Sequence, residues 1–370
     1  MQRIFNYGSS LQGYGLRRLI ESLADDATVV FVDYRPGEIL VKQNGASTPT
    51  SKLQRALVKV REYNTADARL SHKLRFFNHK RTYAARNFPL IGLTAKPNHD
   101  LDLDVQVIGS DEVFNCVQSN TKVGYSRDLF GHDSPARKTV SYAGSFGNTT
   151  LERIEAFGIR QDLEEDFAQF ASISVRDRNS AQIIEELTGR RPVLNVDPAL
   201  AYDFMRLETR IPRDRQYDGK YIVVYGYSGR LNHDENEVLR KYARGVGAKI
   251  LCFGGVQECG DRFIDCNPFE LLAYFRDAEA IITDTFHGTI FAIINNRPFG
   301  AIVRPSVGHS YGNEEKLGFL LEMFGLSSQR VTEMLQISEI LSNPVDYHAV
   351  SQTLAGERIR AVEYLESAIL

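Results

Sequence analysis

Apolar residues along this chain fall into short unbroken runs that alternate with longer stretches in which they recur every three or four positions, the pattern of buried strands between amphipathic helices. In the first half, Thr28–Tyr34, Val105–Gly109, Thr139–Gly147, Ile173–Val175 and Val193–Val196 read as strands. Helices are predicted over Leu151–Phe170 and Ser180–Leu187, and a first helix carries Leu16, Leu19, Ile20 and Leu23. Polar Asn6-Tyr7-Gly8-Ser9-Ser10-Leu11-Gln12 leads into that first helix, with Ser9 or Ser10 as its expected cap. Only Arg3, Ile4 and Phe5 precede it as material for a strand, so the opening strand is expected to be very short.

A polar, charge-dense segment, Arg206–Lys220, then interrupts the rhythm and is expected to separate two domains. Beyond it the alternation restarts: strand Tyr221–Tyr225, helix Glu235–Val246, strand Lys249–Phe253, helix Pro268–Asp277, and a strand ending in Thr283-Asp284. A helix with Ile290, Phe291, Ile293 and Ile294 follows, then strand Pro298–Val303 and terminal helices Glu314–Phe324 and Ser351–Ile369. The expected fold is α/β, two Rossmann-like domains facing a central cleft, similar to the nucleotide-sugar glycosyltransferases of the GT-B arrangement. The expected domains are residues 1–205, residues 206–345 and a C-terminal helix in 346–370.

Composition narrows the partners. The 370 residues are 43% hydrophobic and 25% charged with a net charge of -3, which argues against nucleic acid, whose phosphate backbone asks for a strong basic excess. No apolar run approaches the ~20 residues of a membrane span, and Met1–Leu16 lacks the apolar core of a signal peptide. A cytoplasmic location is expected. Cys116, Cys252, Cys259 and Cys266 are too spread for a disulfide framework or a close-paired zinc pattern, so reduced thiols and no metal are expected. Residues 51–89 interleave Arg55, Lys59, Arg61, Lys73, Arg75, Lys80, Arg81 and Arg86 with Phe76, Phe77, Tyr83 and Phe88. Amphipathic helices with solvated basic faces are the favoured reading, with weak peripheral membrane contact as the alternative.

Chemistry concentrates where strands end. Asp33, Asp111, Ser145, Arg176 and Asp197 all follow first-half runs, and Phe286-His287-Gly288-Thr289 follows the strand that closes on Asp284. Loops at the carboxyl ends of parallel strands line the ligand crevice, and a helix start offers free N–H groups to an anion. His287 is thus expected in a loop beside an anion, although capping the helix while Gly288 allows close packing would be a purely structural role.

Asn6-Tyr7-Gly8 with Leu11-Gln12, GSDEVF at Gly109–Phe114, SYAGSFG at Ser141–Gly147, SVRDR at Ser174–Arg178, DPAL at Asp197–Leu200 and DTFHGTIFAI at Asp284–Ile293 together resemble the polysaccharide pyruvyl transferases. Glu112 and Phe114 stand where that family often has glutamine and tryptophan, and Thr285 stands where some members carry arginine. The resemblance implies transfer of pyruvate from phosphoenolpyruvate onto two hydroxyls of one sugar, in a polysaccharide or lipid-linked oligosaccharide, giving a cyclic ketal and phosphate. No further cofactor is implied. The first half is then the expected acceptor side, and a lipid-linked acceptor places the work at the inner face of the membrane.

Under that resemblance His287 is expected as general acid or phosphate clamp, and Asp111 as base or acceptor for a sugar hydroxyl, with capping of the next helix as its structural alternative. Arg176 and Arg178 are candidates to grip carboxylate or phosphate, joined by Arg304 and Lys316 because Thr285 supplies no cation. Asn6 and Gln12 are candidates for sugar hydroxyls, and Ser145, Thr285, Gly288 and Thr289 complete the expected binding set. A nucleotide-sugar glycosyltransferase and a non-catalytic sugar-binding subunit of a polysaccharide-assembly complex are the rival functions; no Gly-x-Gly-x-x-Gly string supports the first, and an intact His287 and Asp111 weigh against the second.

Overall fold

A computed structural model describes residues 2–41, 67–99, 101–304 and 313–370. Its strands form two sheets, parallel throughout. The first holds β1 (Val105–Asp111), β2 (Lys138–Gly144), β3 (Phe170–Ser172), β4 (Ser174–Val175) and β5 (Val193–Leu194), in the order β1-β2-β4-β5 with β3 also pairing to β2. The second holds β6 (Tyr221–Tyr225), β7 (Lys249–Phe253), β8 (Arg262–Phe263), β9 (Ala280–Thr283), β10 (Phe299–Ile302) and β11 (Arg330–Val331).

In space the second sheet runs β8-β7-β6-β9-β10-β11, which is the doubly wound order of a Rossmann fold. The order reverses between β6 and β9, and those two strands pair directly. Both are buried at every position, as continuous apolar runs covered by helices on two faces should be. Helix Phe286–Ile294, which follows β9, is buried throughout except for its first residue, and fully burying Ile290, Phe291 and Ile293 contributes ~1.5–3 kcal/mol each.

Three helices tie the halves together. Helix Tyr7–Glu21 belongs to a core cluster shared by both halves, and Tyr7 donates across to the Cys266 carbonyl at 2.8 Å. Helix Leu70–Ile91 buries Phe76, His79, Tyr83 and Phe88. Helix Tyr347–Ile369 returns to the first sheet, where Tyr364 donates to the Ser141 carbonyl at 2.7 Å and Arg358 to that of Leu200 at 3.0 Å. All four cysteines are buried free thiols.

Several local expectations are corrected. Thr28–Tyr34 forms no strand and Val30 is 45% exposed; with residues 2–5 in turns there is no neighbouring ladder, and the segment is held by side chains, Gln2 donating to the Val32 carbonyl and Arg3 pairing with Asp33 at 2.5 Å. Asn6, not a serine, caps the first helix, because Ser9 and Ser10 lie inside it and are buried. The expected helix Leu151–Phe170 is two, Leu151–Ala156 and Arg160–Ala168, broken at Gly158 where φ is +65°.

Within residues 51–89, the part up to 66, with Arg55, Lys59 and Arg61, lies outside the described residues. The remainder is mostly one helix, in which Phe76, Tyr83 and Phe88 enter the core while Phe77 stays exposed, with Arg86 paired to Asp265 at 2.9 Å. No described helix is long and apolar enough to cross a membrane.

Candidate functional site

The carboxyl ends of the two sheets face each other across a cavity of about 230 Å³. From the second sheet come Tyr225 to Tyr227 after β6 and Thr285 to His287 after β9, the two sides of the point where strand order reverses. From the first come Asp111 at the end of β1 and Arg176 just after β4. Both sheets therefore contribute as open parallel sheets do, through the residues that follow their strands.

His287 occupies the first turn of helix Phe286–Ile294 rather than a loop, because Thr285 caps that helix by accepting from the Gly288 N–H at 3.0 Å. Only 8% of the residue is exposed. Its ring packs on Gly8 so closely that a Cβ there would lie 2.3 Å from the His287 Cγ. His287 Nε2 is buried without a hydrogen-bond partner, 3.7 Å from Asp197 Oδ2. That separation is one of charge attraction rather than a direct hydrogen bond.

Behind the histidine lies a carboxylate–guanidinium–carboxylate chain. Arg176 donates to Asp197 Oδ2 at 2.8 Å and reaches Asp111 Oδ1 at 3.4 Å, and its guanidinium stacks 4.6 Å from the Phe286 ring centroid. Asp197 Oδ1 accepts from the Ala199 N–H, and Ser9 donates to Asp111 Oδ2. Burial pushes Asp111 upward, but Arg176 and then His287 outweigh it and hold the carboxyl at about 2. Asp197 is lowered in the same way, burial being overcome by His287 and Arg176. Asp111 also takes a φ of 76°, a left-handed conformation uncommon for aspartate, so the fold holds this carboxylate in place at some backbone cost.

Two further ion pairs flank the chain. Lys316, from helix Glu314–Met323, pairs with Glu112, which also accepts from Asn115 at 2.7 Å. Arg230 pairs with Asp284 at 3.2 Å, and burial raises that carboxyl despite Arg230. Asn6 Nδ2 donates to the Tyr227 hydroxyl at 2.7 Å, pinning the first helix to the loop after β6.

The structure thus gathers His287, Asp111, Arg176, Lys316, Asn6 and Thr285 around one cavity. Other expected residues stand elsewhere. The Arg178 side chain is 68% exposed and pairs with Glu322, and Arg304 turns to Glu235 at 3.0 Å, so neither lines the cavity. Gln12 and Ser145 are buried within the fold, the latter accepting from the Gly147 N–H. Thr289 donates to the Thr285 carbonyl, and Gly288 serves packing, since a Cβ there would meet Thr283 Oγ1 at 2.1 Å. Asp111 caps no helix: its carboxylate faces Ser9 and Arg176.

Asp197, Glu112, Arg230 and Lys80 are site features that sequence reasoning did not single out. From sequence Asp197 stands only as a residue that follows a first-half run, with no role attached; it lies beyond the end of β5, whereas Asp111 is the last residue of β1. Glu112, which stands where the family often has glutamine, pairs with a lysine of the other half, a contact with no local signature. Among the described residues one group, His233, Glu237 and Glu258, has metal-holding geometry, but it lies outside the cavity and Arg240 already pairs with both carboxylates.

Two parallel sheets meeting at a cleft lined by a buried histidine and a carboxylate–guanidinium chain define an α/β protein with a charged cavity between its sheets. The family model of polysaccharide pyruvyl transferases matches residues 6–305, and the chain belongs to that family. No curated protein matches it. A solved structure described as the glycotransferase of kitacinnamycin is similar at 13% identity, with 98% of this chain and 94% of that one covered and a TM-score of 0.39.

Proposed function

We propose that the protein transfers pyruvate from phosphoenolpyruvate to two hydroxyls of one sugar, in a polysaccharide or a lipid-linked oligosaccharide. In the balanced reaction two C–O bonds form at the donor's C2, the C2–O bond to phosphate breaks, and the C=C bond becomes a single bond. Of the two hydroxyl protons, one ends on the new methyl group and the other on phosphate.

His287 is the proton donor to the methylene carbon. Asp197 stands beside Nε2, and His287 lines the cavity in which the substrate would sit. Protonation makes C2 electrophilic, and a first hydroxyl adds. Asp111, held at about 2, takes up a proton poorly, so it acts as a hydrogen-bond acceptor that orients the hydroxyl rather than as a strong base. Arg176 would face the donor carboxylate from a site it shares with Asp111, and Arg230 and Lys316, paired with Asp284 and Glu112, line the same cavity. The second hydroxyl then closes the ketal as phosphate departs.

The observation that carries this reading is the His287–Asp197–Arg176–Asp111 chain at a cleft between the sheets, within a chain of this family. Purified protein is expected to release phosphate from phosphoenolpyruvate only when a galactose-, glucose- or mannose-type acceptor is present, and without added metal. Turnover of a nucleotide sugar, with no use of phosphoenolpyruvate across a broad acceptor panel, contradicts it.

A further inference from the structure

The charges of the cavity are paired off except at one end. Arg176 answers Asp111 and Asp197, Arg230 answers Asp284, and Lys316 answers Glu112. Lys80 also lines the cavity, yet among the described residues no carboxylate pairs with it. Its ammonium donates to the Phe5 carbonyl at 2.7 Å and sits 5.5 Å from the Phe76 ring centroid. Asp265, the carboxylate that reaches this helix, is engaged by His79 at 2.7 Å and Arg86 at 2.9 Å. On the ring side of Phe5, the Lys122 ammonium lies 5.1 Å from the centroid, again with no described carboxylate partner.

Two ammonium groups thus lie against one cavity residue, Phe5, and among the described residues neither has a carboxylate partner. Burial, and then the charge of Lys122, lower Lys80 to about 8. Holding a half-desolvated ammonium beside a second one is costly in the empty protein, and an anion between them offsets that cost. Lysine is a compact point charge suited to a phosphate group, and its flexible stem allows two of them to converge on one anion.

We propose that Lys80, which lines the cavity, and Lys122, on the ring side of Phe5, form a phosphate subsite at the Phe5 end of the cavity. The phosphate belongs to a substrate, either the phosphoenolpyruvate donor or a phosphate-bearing acceptor. Only this choice of source rests on the pyruvyl-transfer reading; the subsite itself does not.

The test has a binding arm and a kinetic arm. Inorganic phosphate is titrated calorimetrically into wild type, Lys80→Met, Lys80→Arg and Lys122→Glu. Wild type binds, Lys80→Met and Lys122→Glu bind ~tenfold more weakly or worse, and Lys80→Arg recovers most of the loss. Wild type that binds no phosphate, or variants that bind it like wild type, overturn the proposal. Should Lys80→Met fail to fold, Lys122→Glu decides alone, because Lys122 is exposed.

In the kinetic arm a rise of ~tenfold in KM for phosphoenolpyruvate, with kcat little changed, identifies the donor as the source. The same rise for a phosphate-bearing acceptor identifies the acceptor. Unchanged KM for both substrates overturns the assignment to a substrate phosphate. A protein whose phosphate binding depends on both lysines but which never consumes phosphoenolpyruvate refutes pyruvyl transfer and leaves the subsite standing.

Discussion

At the scale of single residues, His287 is both the proposed proton donor and part of the packing between two helices. A group that gives a proton to substrate typically contributes ~10²–10⁴ in rate, so His287→Gln is expected to lower turnover by about a hundredfold or more while keeping the ring's approximate volume. His287→Ala loses the same activity and, because the ring is packed on Gly8 and lies 6.2 Å from the Phe291 centroid, about 1–3 kcal/mol of stability as well. A loop position would have predicted little loss of stability. Activity of His287→Gln near that of wild type removes the histidine from the chemistry.

The arginines separate in the same way. Arg176→Ala leaves Asp111 and Asp197 as uncompensated carboxylates, one wholly buried, and is expected to cost about 3–5 kcal/mol by chemical denaturation. Arg178→Ala, an exposed rim pair with Glu322, should stay within about 0.5 kcal/mol and leave KM for phosphoenolpyruvate unchanged. Equal effects of the two would contradict the placement of Arg176.

Asp111 gives a pH signature. Its carboxyl is depressed from 3.8 to about 2, so its stabilisation is fully present above the unfolded value and is lost as pH falls through the folded one. The size is about 2 kcal/mol for a side chain 18% exposed. Wild type should therefore lose its advantage over Asp111→Asn as the solution is taken from about pH 4 to about pH 2, measured by urea unfolding at each pH. A difference that does not vary with pH argues against the Arg176–Asp111 coupling.

At the scale of elements, the meeting of two helix starts fixes the site. Helix Tyr7–Glu21 brings Gly8 against His287, and helix Phe286–Ile294 brings His287 to Asp197. Alanine is ordinarily favoured over glycine inside a helix by ~1 kcal/mol. At Gly8 the sign reverses, because the added Cβ would sit 2.3–2.7 Å from three His287 atoms. Gly8→Ala is thus expected to displace the imidazole and lower kcat ~tenfold or more, with stability reduced by about 1–3 kcal/mol. Unchanged kcat would show that the ring position is not critical.

The central strands of the second sheet, β6, β7, β9 and β10, could be read from sequence because runs such as Tyr221–Tyr225 and Ile250–Phe253 are buried and carry an unbroken apolar signal, whereas the two-residue strands β8 and β11 could not. Thr28–Tyr34 carries a similar signal and forms no strand, since pairing depends on a neighbour that the pattern does not contain. The site was legible where residues follow strands, as Asp111, Arg176 and His287 do. Glu112–Lys316, Arg3–Asp33 and the Lys80 environment join residues far apart in the chain, and no local spacing encodes them. Arg304 shows the converse: it follows a strand, yet its side chain turns to Glu235.

At the scale of the whole molecule, neither half holds a complete site. The first sheet supplies Asp111 and Arg176, the second supplies His287, and the links that join them are the Asp197–His287 and Glu112–Lys316 pairs. On the proposed reading a sugar presented from one side and a phosphorylated enol from the other would meet between the sheets, among partly buried charges whose interactions are stronger than in water. On the proposed mechanism the His287 proton is delivered to carbon, and that step would leave a mark in the product. In deuterated water, with phosphoenolpyruvate and a competent sugar acceptor, the ketal methyl group should carry one deuterium and form in equal amount with phosphate, and both should fall together by ~10² or more in His287→Gln. A product without the ketal methyl, phosphate released without acceptor, or a His287→Gln variant that forms the ketal at the wild-type rate would contradict pyruvyl transfer driven from this cavity.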